Sequence, residues 1–111
     1  MISQIARSEM LKGQEIQACE AFKTMAEAVK ANEPGCLMYP VTRGQVNAQE
    51  VYASEIYGDQ AAFDAHRKTE HLQEFQQTRD QFLDRGSWNV EVLDEVAGFV
   101  RSAVEAMAGQ M

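Results

Sequence analysis

Apolar and polar positions along the chain follow two periods, one typical of strands and one typical of helices. Residues 51–57 combine β-branched and aromatic side chains, as strands do. Asp59 follows as a good N-cap for a helix that begins at Gln60. This stretch therefore predicts a strand that turns directly into a helix.

The first part of the chain predicts a strand followed by a long amphipathic helix. Residues 2–11 resemble a first strand, and Lys12-Gly13 forms the turn after it. The helix ends at Asn32-Glu33-Pro34-Gly35, because proline and glycine both interrupt a helix. Its buried stripe is predicted to contain Cys19, Phe22, Ala26 and Val29, widened by Ala18 and Met25.

Three further elements complete the predicted core. Residues 36–41 form a second strand, in which Pro40 cannot donate to a ladder and so indicates an edge position or a bulge. Residues 42–50 are a polar connection to the third strand. A helix over 69–83 ends at Gly86-Ser87, and a half-buried fourth strand covers 88–94.

The order of these elements predicts an α+β fold of the ferredoxin-like split β-α-β-β-α-β type. Such a chain forms a four-stranded antiparallel sheet with helices on one face. Residues 2–93 would form this domain, and no element remains to cover its other face. We therefore expect a homodimer in which two sheets pack face to face.

Residues 94–111 are predicted to be a C-terminal helical extension. Val96, Val100, Ala103 and Met107 are spaced like one side of a helix. The segment would dock on its own domain or on the partner subunit, and a flexible tail is the alternative.

Charge and composition exclude several classes of partner. Ten basic and seventeen acidic residues among 111 give a net charge of −7, which opposes binding to nucleic acid or to anionic lipid. No apolar run approaches the roughly 20 residues of a membrane span, and the first residues do not resemble a signal peptide. The expectation is a cytoplasmic protein without nucleic-acid or membrane partners.

The cysteines and histidines do not form a recognisable metal motif. Cys19 and Cys36 are each predicted to be small buried apolar residues. His66 and His71 are five residues apart, which does not match the i, i+4 spacing of a helical zinc pair. No metal and no cofactor are predicted.

A pocket for a small organic ligand is predicted between the sheet and the helices near the two histidines. Apolar walls with a few convergent polar groups suit such a ligand, and a histidine that titrates near neutral pH can accept a proton from a phenol or an acidic C–H. We assign catalysis to His66, Glu55 and Tyr57, and substrate binding to Arg7, Tyr39, Phe63, His71 and Phe75.

The two histidines can share this pocket only if the helix breaks between them. On one continuous helix their rings would point about 140° apart, from roughly 100° per residue. Lys68-Thr69-Glu70 offers a break, with Thr69 able to cap the next helix. His66 is the expected functional histidine, and His71 is expected to shape the connection.

Several of these motifs together resemble the antibiotic biosynthesis monooxygenase family, whose members form dimeric α+β barrels. The resemblance lies in Glu55-x-Tyr57, Asp59, Phe63-x-x-His66 and Thr69-x-His71-x-x-x-Phe75, and upstream in Glu33-Pro34-Gly35-Cys36-Leu37-x-Tyr39. The matching pieces lie within residues 2–93.

This resemblance implies a monooxygenase that uses neither flavin nor metal. It would deprotonate a small electron-rich aromatic or quinol-like substrate, and the anion would react with dioxygen. Autoinducer phosphate isomerases of the same superfamily are an alternative, since Glu55-x-Tyr57 and His66-x-x-Thr69-x-His71 resemble their helix region. A non-catalytic ligand-binding dimer is the third possibility. Resemblance to the haem-degrading relatives would require a tryptophan in the helix after the third strand and an asparagine in the first strand. They are disfavoured, because the only tryptophan here is Trp88 and the first strand carries Arg7-Ser8.

Overall fold

The sheet is antiparallel and contains five strands. The structure, a computed structural model, describes residues 1–101. Its strand order is β2, β4, β1, β5, with β3 also paired to β4. The strands are β1 (Ile2–Glu9), β2 (Cys36–Met38), β3 (Val41–Arg43), β4 (Glu50–Tyr57) and β5 (Asn89–Asp94); the helices are α1 (Glu15–Asn32), α2 (Gln60–His66) and α3 (Glu70–Thr78). The predicted α+β class and ferredoxin-like order are confirmed.

The fifth strand arises because the predicted second strand is split. β2 and β3 both pair with β4, and the register shifts between Cys36 and Met38. Pro40 lies between β2 and β3 and has no N–H to donate, although its carbonyl accepts from Ser54 N at 3.0 Å. Both features that Pro40 predicted, an edge position and an irregularity, are present.

The two faces of the sheet differ in what packs on them. On β4, the side chains of Val51, Ala53, Glu55 and Tyr57 are buried, whereas the alternate residues between them are only partly buried. Because Ala6 pairs with Ala53, the buried residues of β1 point to the same side as those of β4. The helices pack on this side, and no described element packs on the opposite one.

The buried stripe of α1 differs from the predicted one. Ala18, Phe22, Met25 and Val29 are buried, whereas Cys19 is exposed. Phe22 and Val29 are buried as predicted, and the side of the stripe that carries Ala18 and Met25 is buried more deeply than the side that carries Cys19 and Ala26. The prediction that Cys19 is buried was wrong.

The predicted helix over 69–83 is shorter in the structure. It ends at Thr78, and a 3₁₀ turn covers Arg79–Gln81. This tighter turn lets Phe82 and Leu83 enter the core, where each is 2% exposed. Core burial therefore overrides the helical preference of this segment.

The beginning of the C-terminal segment has no regular secondary structure and is mostly exposed, contrary to the prediction of a helix. Residues 95–101 contain no helix. Gly98 has φ +125°, which is outside the helical region, and Val96 is 97% exposed. Ala103 and Met107 lie outside the described residues.

No helix in residues 1–101 is long and apolar enough to cross a membrane.

Candidate functional site

The break between α2 and α3 brings the two histidine rings together. α2 ends at His66, and the hydroxyl of Thr69 donates to the His66 carbonyl at 2.8 Å. The same hydroxyl accepts from Leu72 N at 3.4 Å and caps α3. The centroids of the His66 and His71 rings are 6.5 Å apart. The predicted break and its threonine cap are confirmed.

Glu33 lies between the two rings, although the sequence analysis assigned it no role at the site. Nδ1 of His66 is 2.9 Å from Oε1 and 3.0 Å from Oε2 of the Glu33 carboxylate. Nε2 of His71 is 2.5 Å from Oε2 of the same carboxylate. One buried carboxylate therefore binds both imidazoles.

Glu55, on strand β4, lies next to the other nitrogen of the His66 ring, the one that Glu33 does not contact. Its Oε1 is 3.5 Å from Nε2 of His66. The hydroxyl of Tyr57 donates to Glu55 Oε1 at 2.6 Å, and the amide of Gln4 lies 3.2 Å from both carboxyl oxygens. Gln4 was not predicted as a site residue, because its orientation toward Glu55 depends on the pairing of β1 with β4.

Burial controls the ionisation of the acidic groups around this site. Burial raises the pKa of Glu55, and the hydrogen bonds from Tyr57 and Gln4 oppose that rise only in part. Burial also raises the pKa values of the Tyr39 and Tyr57 phenols, with a further contribution from the charge of Glu55. Tyr57 is therefore a hydrogen-bond donor to Glu55 and remains a neutral phenol.

A cavity of about 370 Å³ opens next to these groups. This volume is within the range of roughly 300–1,000 Å³ that is usual for small-molecule sites. Arg67 and Gln76 lie at the solvent-exposed rim. The walls are formed by apolar and aromatic residues together with the Gln4, Glu55 and His66 side chains: Ala6, Phe22, Met25, Tyr39, Ala53, Leu72, Phe75, Trp88 and Val90.

The predicted site residues are divided between the cavity and its surroundings. Tyr39, Glu55, His66 and Phe75 line the cavity. Three others lie behind this wall. Tyr57 is hydrogen-bonded to Glu55, His71 is hydrogen-bonded to Glu33, and the centroid of the Phe63 ring is 5.5 Å from that of Tyr57.

Arg7 is not part of the cavity. It lies on the opposite face of the sheet, where its guanidinium forms ion pairs with Glu9 at 3.2 Å and Glu50 at 3.1 Å. The alternation in β1 was too irregular for the sequence to assign Arg7 to a face.

Glu33, His66 and His71 have donor types that can hold a divalent transition metal. Their donor atoms lie within 4.8 Å of one another. Here the nitrogens of both rings are directed at the carboxylate oxygens, which is the geometry of a hydrogen-bonded triad.

The family comparison agrees with the fold and with the placement of these motifs. The model described as antibiotic biosynthesis monooxygenase matches residues 1–78, which include Glu33, Glu55, His66 and His71. The chain belongs to the antibiotic biosynthesis monooxygenase family. A comparison with curated proteins gives no match.

Solved structures support the fold of this antibiotic biosynthesis monooxygenase family member. A Caulobacter crescentus protein that carries the family's name is 27% identical, with a TM-score of 0.80 over 86% of this chain and 90% of that one. A Mycobacterium tuberculosis protein is 22% identical, with a TM-score of 0.79 over 87% of this chain and 96% of that one. At 22% identity, the second similarity concerns the fold alone.

Proposed function

We propose that this family member is a cofactor-independent monooxygenase that acts on a small electron-rich aromatic or quinol-like substrate. The supporting observation is the buried Glu55–His66 pair in the wall of an apolar and aromatic cavity. Family membership supports the reaction class.

In this proposal the substrate ring lies against Tyr39, Phe75 and Trp88, and its acidic O–H or C–H faces His66. Neutral His66 accepts the proton on Nε2. Glu55, next to the same nitrogen, favours the imidazolium that results. The apolar walls exclude water, so that these charges act at low dielectric.

The remaining steps balance for a substrate with an acidic methylene group. Loss of the proton leaves a carbanion, which passes one electron to dioxygen. The carbon radical and superoxide combine to form a C–O bond and a peroxide anion. His66 returns the proton, the O–O bond breaks, and the second hydrogen of the methylene leaves in water. The sum is R₂CH₂ + O₂ → R₂C=O + H₂O.

The charges around the cavity favour such a ring over a phosphorylated dione. Among the lining residues in the described part of the chain, Arg67 alone carries a permanent positive charge, and its guanidinium lies 4.6 Å from the centre of the Phe63 ring. Glu55 and Glu33 are both acidic and close to His66. A phosphate would meet few cationic partners here, so the isomerase is the weaker alternative.

Oxygen uptake with anthrone tests the proposal. We expect consumption of one O₂ per anthraquinone formed, by protein that has been treated with a chelator. Exchange of substrate α-protons with D₂O under argon, on a phosphorylated dione and without oxygen uptake on anthrone, would favour the isomerase. Saturable binding without either reaction would favour a ligand-binding protein.

We further propose that residues 2–93 act as a homodimer formed by the sheet face that carries Ile5, Ile56 and Leu93. These apolar side chains are only partly buried in the single chain, and no helix in residues 1–101 packs on them; the segment 96–100 lies beside Ile56 and Leu93. A cytoplasmic setting belongs to the same proposal. The free thiols of Cys19 and Cys36 support it, since reduced cysteines are usual in that compartment.

A further inference from the structure

Exposure increases stepwise from the cavity outward along four linked side chains. The side chain of Glu55 is 2% exposed and that of His66 is 3% exposed. Glu33 is 7% exposed and His71 is 16% exposed. Glu33 therefore has the cavity histidine on one side and a histidine that reaches the surface on the other.

The contacts of Glu33 determine which nitrogen of His66 carries the proton. A carboxylate can only accept hydrogen bonds, so Nδ1 of His66 must be the donor at 2.9 Å. In a neutral ring this leaves Nε2 unprotonated. Nε2 is the nitrogen next to Glu55, which lines the cavity together with His66, and an unprotonated Nε2 is the atom of this ring that can act as a base.

The backbone holds Glu33 firmly in this place. Its N–H donates to the Val29 carbonyl at 2.9 Å, and its own carbonyl accepts from Cys36 N at 3.0 Å. Gly35 then packs so closely on α2 that an added Cβ would lie 2.6 Å from the Cβ of Ala62. The turn that carries Glu33 and the helix that carries His66 are thus in direct contact.

We infer that Glu33 is the positioning residue for His66, and that His71 supports Glu33 in this role. The inference rests on the function proposed above. Glu33 selects the Nδ1–H form of His66, directs Nε2 to the substrate, and stabilises the imidazolium formed when the proton arrives. His71 donates its Nε2–H to Glu33, and this hydrogen bond orients the carboxylate toward His66.

The first test does not depend on any substrate. Two-bond ¹⁵N–¹H spectra of the histidine rings at pH 8 should show His66 as the Nδ1–H form, whereas free imidazole side chains prefer Nε2–H. In Glu33→Ala the Nδ1–H form should be lost. Glu70→Gln, a charge change at an exposed residue beside His71, should leave the spectrum unchanged. His66 in the Nε2–H form in wild-type protein would overturn the inference.

The second test uses anthrone oxidation. Glu33→Gln should lower kcat about 100-fold with KM nearly unchanged, because the loss concerns proton transfer and not binding. Glu33→Asp should recover part of the rate, and His71→Gln should lower it less than Glu33→Gln does. Equal rates for wild type and Glu33→Gln would overturn the inference. No anthrone oxidation by wild type would contradict the proposed function and leave the spectra to decide the role of Glu33.

A metal titration distinguishes this positioning role from a metal-binding role of Glu33, His66 and His71, whose side chains could also bind a divalent transition metal. Zn²⁺ added to wild-type protein should bind weakly and leave the Nδ1–H signal of His66 in place. Tight binding of one Zn²⁺ per chain with loss of that signal, absent in Glu33→Ala, would show a metal centre and overturn the inference.

Discussion

The hydroxyl of Tyr57 donates a 2.6 Å hydrogen bond to Glu55, two residues earlier on the same face of β4. A strand places residues i and i+2 side by side, so the donor of Glu55 is supplied by its own strand. The bond lowers the pKa of a carboxyl group that burial otherwise raises. The Glu55-x-Tyr57 motif thus encodes a buried carboxyl together with the group that stabilises its charge.

Glu55→Gln should change the dependence of stability on pH. The pKa of Glu55 is raised above its ordinary value of 4.5, so the folded protein holds this proton to higher pH than the unfolded chain does. Wild-type stability therefore falls as pH rises from about 4.5 through the raised pKa. Chemical denaturation at pH 4 and pH 7.5 should show Glu55→Gln gaining stability relative to wild type at the higher pH. A constant difference would contradict the raised pKa.

Tyr57→Phe should lower the stability of the protein at neutral pH, whereas Glu55→Gln should raise it. Tyr57→Phe removes the hydrogen bond to the carboxylate, which raises the pKa of Glu55 further and costs about 1.5–3 kcal/mol when Glu55 is ionised. The cost should be smaller at pH 4, where the group is protonated in both states.

His66→Gln should remove most of the oxidation of anthrone while ligand affinity is kept. General base catalysis contributes about 10²- to 10⁴-fold, and kcat should fall by an amount in that range. Lys68→Gln, on the exposed connection between α2 and α3, is the matched control and should keep the wild-type rate. If His66→Gln turns over at the wild-type rate, the base must be sought at Glu55.

Gly35→Ala should disturb the site from a distance. The new Cβ would lie 2.6 Å from Ala62 Cβ, so α2 must move, and we expect a loss of about 1–3 kcal/mol. Gly86→Ala is a matched control, because its nearest atom would be Asp84 Oδ1 at 3.7 Å. Adding Ala62→Gly to Gly35→Ala should restore stability, as followed by thermal denaturation.

The two thiols should react at different rates. Burial raises the pKa of Cys36 to about 11, whereas Cys19 is exposed. At pH 8, the Cys19→Ala variant should react with a disulfide reagent at least about ten times more slowly than Cys36→Ala does, since the thiolate is the reactive form. Equal rates would mean that Cys36 is more accessible than it is in this structure.

Ile56→Lys should weaken the proposed dimer. The substitution places a charge on the uncovered sheet face, and sedimentation at micromolar concentration should show more monomer. Ile16→Lys introduces the same charge on α1, where Ile16 is 84% exposed, and should leave the assembly unchanged. A monomeric, folded wild-type protein would contradict the dimer.

Local sequence signals were sufficient for the elements around the histidines. Asp59 caps α2 through a 2.8 Å bond to Ala62 N, and Thr69 caps α3, as their positions before each helix predicted. Capping depends on the next three residues only, so it can be read from the sequence.

Contacts between distant residues could not be predicted in the same way. Glu33 and His66 are 33 residues apart, and their contact depends on the turn at Gly35 packing against α2. Nothing next to Glu33 in the sequence distinguishes a helix-ending glutamate from a partner of histidine. The faces of Arg7 and Cys19 also depended on register and helix rotation, which tertiary packing decides.

Pro40 has a consequence for one of the two edges of the sheet, the edge formed by β2 and β3. β2 and β3 contain three residues each, and Pro40 lies between them on the edge beside β4. A long unbroken edge strand can pair with a second copy of itself and continue into an open-ended aggregate. An edge interrupted after three residues offers too few consecutive hydrogen-bonding groups for such growth. Replacement of Pro40 by a β-branched residue would therefore risk fibril formation, a hazard unrelated to the chemistry of the cavity.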